Sequence, residues 1–382
     1  MAGEASGDTL GVDLIEALRR LAPEVQFFGV AGPKMQAAGC VSWEPAESFA
    51  VMGLFEVLTH LPRLLKLLSR ITRMFLSERP DVFVGIDAQE ANAHIAKRLH
   101  AAGIPTVQYV SPQVWAWRQG RARSIGNTVD LVLCLLPFEK RFYDEHGVRA
   151  EFVGHPLADA IPLQVDRAAA RAALGVPQDA AVVALLPGSR RGEVTRLASD
   201  LAATARSMLS QRPQLKFIAA LANRATREIF SATLAREAPE VEVRMFEGQA
   251  QKVLIAADVV LTASGTATLE TALCKRPMVV IYRAGAFTAW IVRHTNLIKA
   301  KFFSQPNLLA DRRLVGEYFQ DDIVPESIAA ELLMWLDNAE RRGELQQCFE
   351  QMHTELRRNA GSRAARAIMA LLDERRGAPA AS

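Results

Sequence analysis

A chain of 382 residues exceeds the roughly 250–300 at which a single hydrophobic core stops growing, so two domains are expected. Half of the residues are apolar, 23% are charged and 7% are aromatic, which excludes a disordered chain, a fibrous repeat and a disulfide-stapled miniprotein. Forty-five basic against 42 acidic residues give a formal charge of +3, too small an excess for a chain built to wrap nucleic acid.

The start, MAGEASGD, has neither the basic nor the apolar region of a signal peptide, so a cytoplasmic compartment is the default. Gly3 to Asp8 has the form of a glycine loop between a first strand and a first helix, yet only Met1 and Ala2 precede it. The first strand is therefore expected to be missing, leaving a gap or a thin edge in the amino-terminal sheet. From Met52 to Phe75 an amphipathic helix is predicted: Leu54, Val57, Leu58, Leu61, Leu64, Leu65, Leu68, Ile71 and Phe75 share one side, with Arg63, Lys66, Arg70 and Arg73 opposite. Such a wheel fits an interfacial helix or a core-facing one, and both readings stand.

Strands are predicted at Val25 to Val30, Val82 to Ile86, Thr106 to Val110 and Leu131 to Leu135. A second series follows at Val182 to Leu186, Lys216 to Leu221, Val241 to Met245, Val259 to Thr262 and Met278 to Tyr282. Helical stretches separate them, which implies parallel sheets covered on both faces. The rhythm pauses between His155 and Asp166, where Pro156 and Pro162 interrupt it, and the boundary is placed there: a domain over 1–160, another over 161–345, and helices over 346–382 that pack back across the junction. The four cysteines form no C-x-x-C pair and the histidines no H-E-x-x-H spacing, so neither a disulfide framework nor a metal site is expected.

Two loops in the second half carry phosphate chemistry. Ser264-Gly265-Thr266-Ala267-Thr268-Leu269-Glu270 opens a helix after a strand; small residues there free backbone N–H groups for a phosphate, and Glu270, one turn in, can accept from both ribose hydroxyls of a nucleotide. Leu186-Pro187-Gly188-Ser189-Arg190 offers a tight turn at Gly188, a helix cap at Ser189 and a guanidinium fork suited to a diphosphate at Arg190. An ordinary capped turn and a basic surface loop are the plainer alternatives. In the first half, Asp87 in Gly85-Ile86-Asp87-Ala88 lies just past an apolar strand, as a general base would and as a helix N-cap would equally. Glu4 and Asp8 are rival carboxylates, Asp8 the better cap. Trp115 and Trp117 beside Arg118 fit packing or a sugar or acyl pocket, and His155 fits a hinge.

Taken in order, Gly3 to Asp8 with its Ser6, Met52-Gly53, Gly85 to Ala88, Val110-Ser111-Pro112 with Trp115 to Arg118, Gly154 to Asp159, Leu186 to Arg190, Ser264 to Glu270 and Pro306-Asn307-Leu308-Leu309-Ala310 resemble the lipid-A-disaccharide synthase family from Ala2 to about Leu372. The resemblance implies an α/β chain of two Rossmann-like domains facing a cleft, the GT-B type, without a cofactor. It implies an inverting transfer from UDP-2,3-diacylglucosamine to 2,3-diacylglucosamine 1-phosphate, with no metal required. Asp87 would be the base and Arg190, Gly265 and Thr266 would steady the diphosphate; Glu270 would hold the ribose, Asn307 would lie near the diphosphate, and Ser189 and Ser6 are further candidates. The implied partners are these two lipids and the cytoplasmic face of the inner membrane, which the chain would meet peripherally through Leu54, Phe55, Val57, Leu58, Leu61, Leu64 and Leu65. A homodimer stays open.

Three features depart from the family pattern. Gln89-Glu90-Ala91-Asn92 stands where Pro-Asp-Phe-Asn is usual, Gln305 replaces a leucine, and the first strand is absent. Two other readings remain: a UDP-N-acetylglucosamine 2-epimerase or peptidoglycan glycosyltransferase on a related scaffold, and a membrane-associated nucleotide-binding protein without turnover.

Overall fold

The structure, a computed structural model, describes residues 1–49, 54–117, 120–285 and 301–377, with side chains throughout these except at 5, 47, 54–61 and 116–117. The chain folds as two units, one made of residues 1–159 and 356–382 and the other of residues 160–355.

The first unit contains β1 (Phe27–Ala31), β2 (Cys40–Pro45), β3 (Phe83–Gly85), β4 (Thr106–Tyr109), β5 (Leu131–Cys134) and β6 (Ala150–Phe152). They form a two-stranded β1-β2 sheet and a four-stranded β3-β4-β5-β6 sheet, every pair parallel. Between them lies the expected thin place. Met1 and Ala2 fill it: the Met1 nitrogen donates to Val84 O at 2.6 Å, Ile86 N donates to Met1 O at 3.0 Å, and Ala2 N donates to Val30 O at 3.0 Å. Two residues thus make the ladder bonds of a central strand, joining β1 to β3 by backbone alone. The reversal of strand order, where open α/β sheets hold ligands at their carboxyl ends, falls at this stub.

The helix Ala360–Gly377 closes the unit. Its Ala364, Ala365, Ile368 and Leu371 share a buried cluster with Leu14, Ile15 and Leu18 of the first helix, Ala5–Leu21, and with Tyr109 and Leu133 of the sheet. Alanines permit the close approach. The Asp159 carboxylate caps this helix, accepting from Asn359 N at 2.8 Å and Ala360 N at 2.6 Å.

In the second unit β7 (Val182–Leu186), β8 (Lys216–Leu221), β9 (Val243–Glu247), β10 (Val259–Ala263), β11 (Met278–Tyr282) and β12 (Gly316–Phe319) form one parallel sheet in the order β12-β11-β10-β7-β8-β9. Renumbered within the unit this is the Rossmann order 3-2-1-4-5-6 read from the other edge. The switch point lies between β7 and β10, which pair from Val183 with Val259 to Leu186 with Thr262. Both phosphate-capable loops leave the sheet at that point.

Candidate active site

Asp87 follows β3 at the switch point of the first unit. Its Oδ1 accepts from Gly3 N at 2.5 Å and its Oδ2 from Glu4 N at 3.0 Å, so the carboxylate closes the amino end of the helix Ala5–Leu21 from another element. Burial holds its pKa above the usual carboxylate range, against the opposing pull of those two N–H groups. Capping does not exhaust the carboxylate, because each oxygen keeps a second lone pair for a further donor. A Cβ at Gly7 would lie 2.0 Å from Asp87 Oδ2, so only glycine allows the approach. Buried Asn92 donates its side-chain amide to the Asp87 carbonyl and braces the turn from below.

The rival carboxylates separate cleanly. Asp8 is buried and accepts from Lys34 N and Met35 N, each at 2.9 Å, capping the helix Pro33–Ala37. Glu4 and Ser6 are exposed on the first turn. Trp115 packs edge-on against Phe138 at 4.8 Å, which is the packing alternative; the side chain of Trp117, and Arg118 altogether, lie outside the described residues. His155 is buried, its pKa lowered to about 4 by desolvation, and its Nδ1 accepts from Leu157 N at 3.2 Å. That neutral, engaged ring belongs to a turn. Of the apolar stripe, the side chains from Leu54 to Leu61 lie outside the described residues. Leu64 is half-buried against the core and Leu65 is 49% exposed.

In the second unit Arg190 and Ser189 are exposed at the tip of the loop after β7. The cap expected of Ser189 is corrected: the helix Arg191–Gln211 has Arg190 at its N-cap without a side-chain cap, and Glu193 closes the loop instead. Glu193 Oε2 accepts from Ser189 N at 3.1 Å and Arg190 N at 3.4 Å, a reach-back that an acid three residues into a helix makes readily.

After β10 the helix Thr266–Leu273 starts as predicted. Gly265 holds φ +128°, a region closed to L side chains, and Gly265 and Thr266 are exposed. First-turn amides have no intrahelical acceptor, and among the described residues nothing else accepts from those of Gly265 and Thr266. Glu270, one turn in and partly buried, has its pKa raised by desolvation, and among the described residues its carboxylate forms no hydrogen bond or ion pair.

Asn307 is saturated. Its Nδ2 donates to Val315 O at 3.0 Å and Glu317 Oε1 at 2.9 Å, and its Oδ1 accepts from Leu314 N at 2.8 Å and Val315 N at 3.1 Å. It shapes the segment rather than offering an amide. Glu317 also accepts from Phe303 N and Ser304 N, while Ser264 Oγ donates to Phe303 O and Gln305 N donates to Thr268 Oγ1 at 3.1 Å. These bonds stitch residues 303–307 to the loop after β10. The contacts of Glu193, Glu317 and Thr268 were not legible in the sequence, because their partners are backbone groups brought near only by folding.

Two units of parallel α/β structure, with phosphate-type loops at the switch point of the second, define a GT-B-like fold. Solved structures share it: a Neisseria meningitidis UDP-GlcNAc 2-epimerase bound to UDP-GlcNAc matches with a TM-score of 0.60 at 11% identity over 96% of this chain and 97% of that one. An S. aureus MnaA-UDP co-structure matches at 0.59 and 12% identity over 97% of this chain and 94% of that one. At such identities the likeness is one of fold.

A family model described as Lipid-A-disaccharide synthetase matches residues 1–370, and the chain belongs to that family. A lipid-A-disaccharide synthase of Alkalilimnicola ehrlichii is 51% identical over 372 residues, 97% of each chain. One of Pseudomonas aeruginosa is 48% identical over 375 residues, 98% of each. The protein is thus an enzyme, a glycosyltransferase.

Proposed function

We propose that the chain joins UDP-2,3-diacylglucosamine to 2,3-diacylglucosamine 1-phosphate in one inverting displacement, with the roles divided between the two sheets' switch points. The acceptor 6-hydroxyl oxygen forms a bond to the donor C1 as the C1–O bond to UDP breaks; the hydroxyl proton passes to Asp87, and UDP leaves with the bonding pair. Arg190 and the amides of Gly265 and Thr266 meet the charge growing on the diphosphate, and Glu270 accepts from the ribose. Asn307 acts at one remove, by fixing the segment that packs on the loop after β10. The exposed Leu65 serves as part of a membrane-facing surface near lipid substrates. Among the described residues no helix is long and apolar enough to cross a membrane.

The observation that carries this reading is the Asp87 carboxylate, partly desolvated, fixed by two N–H groups and still able to accept from a hydroxyl. Mass-spectrometric assay of both lipids together is the test, with UDP-N-acetylglucosamine alone as a second substrate. Disaccharide 1-phosphate and UDP are the expected products; epimerised UDP-sugar in their place would overturn the reading. UDP binding should weaken in Arg190→Ala and be unchanged by a chelator.

A further inference from the structure

The loop that carries Asp87 runs directly into Gln89 and Glu90. Glu90 is gripped by Arg121, the first residue of the helix Arg121–Gly126, through two parallel bonds: Nη1 to Oε1 at 2.7 Å and Nη2 to Oε2 at 3.1 Å. The side chains are 40% (Arg121) and 77% (Glu90) exposed, and a pair so open to water contributes little to stability. The two residues line a cavity of about 60 Å³ together with three carboxamides, Gln89, Gln108 and Gln113. Gln108 pairs in register with Gly85, two residues ahead of Asp87, so this cavity lies alongside the loop of the base.

The acceptor's chemistry makes a demand on that neighbourhood. Its nucleophilic hydroxyl is on C6, borne by C5, and its phosphate is on C1; these two ring carbons flank the ring oxygen, so a base at Asp87 calls for a phosphate ligand within the span of one sugar ring. A guanidinium fork matches two phosphate oxygens as well as it matches a carboxylate, and a phosphomonoester dianion is the stronger partner. We propose that Arg121 binds the acceptor's phosphomonoester, trading Glu90 for it, and that Glu90 is a placeholder that keeps the fork aimed into the cavity before the substrate arrives. The carboxamides of Gln89, Gln108 and Gln113 then face the ring hydroxyls and amides. This assignment rests on the reaction proposed above.

The test is steady-state kinetics on two acceptors, with and without the 1-phosphate. Arg121→Ala should raise KM for the phosphorylated acceptor by about 10- to 100-fold with kcat and donor KM nearly unchanged, the scale of a charge-assisted bidentate contact. Glu90→Gln should lower the same KM by about two- to fivefold, since it releases the arginine and removes a repelling charge. Both effects should vanish on the acceptor lacking phosphate. A pair that merely staples the loop gives the opposite pattern, in which both variants lose activity together on both acceptors, and that result overturns the proposal. Inhibition by inorganic phosphate that Arg121→Ala relieves, without competition against the acceptor, would assign the site to free phosphate and overturn the lipid source. Should the wild-type protein make no disaccharide, the reaction itself is wrong; calorimetry with glucosamine 1-phosphate on wild type and Arg121→Lys then decides the phosphate site without turnover, equal affinities rejecting it.

Discussion

A methyl group on Gly7 would come within 2.0 Å of Asp87 Oδ2, so the carboxylate depends on bare backbone beside it. Asp87→Asn keeps the shape and the Gly3 bond but presents an NH₂ to the Glu4 N–H, two donors facing each other. Turnover should fall by about 10²–10⁴ with donor binding little changed, and the lost bond should cost about 1 kcal/mol of stability. A base at Asp87 would work ionised, and burial raises the group's pKa, so the acid limb of kcat/KM should lie above the usual carboxylate range and disappear in the Asn variant. A limb at an unshifted position would assign the proton to another group. Glu139 gives a second pH signature. It is buried against Leu135 N and Leu136 N, and desolvation pushes its pKa from 4.5 up to about 7. An acid whose folded pKa is raised contributes stability below its unfolded pKa and loses it as pH rises through the folded one. Melting temperature should therefore decline between pH 4.5 and about 7, and Glu139→Gln, which can still accept both bonds, should flatten that decline.

At the scale of elements, the helix Leu54–Glu78 tests what periodicity can tell. The wheel fits core and interface alike, and from Leu68 onward the structure resolves it toward the core: Leu68, Ile71 and Phe75 are buried, with Phe75 against Trp43 at 4.9 Å and Phe83 at 5.1 Å. Arg63, Lys66, Arg70 and Arg73 face solvent, a charge layout that suits anionic headgroups wherever apolar residues beside it are exposed. Leu65→Ser should then reduce sedimentation with anionic vesicles at unchanged melting temperature, whereas Ile71→Ser should cost about 2–5 kcal/mol through a polar cavity in the core. Equal destabilisation by both would place Leu65 in the core as well. Strands built of β-branched runs were legible in the sequence, as were the starts of both phosphate loops, because each rests on local propensity and on glycine's backbone range. Cys40–Pro45, Ala150–Phe152 and Gly316–Phe319 were not. These are edge or near-edge strands, short or half-exposed, and their pairing comes from neighbours rather than from their own composition. The Arg121–Glu90 fork was equally hidden, since its residues are 31 apart and only the adjacency of β3 and β4 brings them together.

For the whole molecule the sharpest consequence concerns the carboxyl-terminal helix, which belongs to the first unit although the second precedes it in sequence. Ile368 and Leu371 alone, fully buried, represent about 3–6 kcal/mol at roughly 1.5–3 kcal/mol per side chain. Their removal would also uncover Leu14, Ile15 and Leu18, and the sum reaches the scale of a domain's entire net stability of about 5–15 kcal/mol. The second unit has an unbroken six-stranded sheet and holds all of the residues assigned to the nucleotide. A chain ended at Arg358 should accordingly lose the first unit's protected amides in hydrogen exchange and lose turnover, while UDP binding by calorimetry stays near that of the full chain. Saturating UDP should protect the remaining unit by about 2.7 kcal/mol at a hundredfold excess over Kd, because a ligand that binds only the folded form stabilises it by mass action. Loss of UDP binding together with the first unit's protection would mean that the nucleotide site cannot stand without that unit, and the division of labour between the two sheets would have to be abandoned.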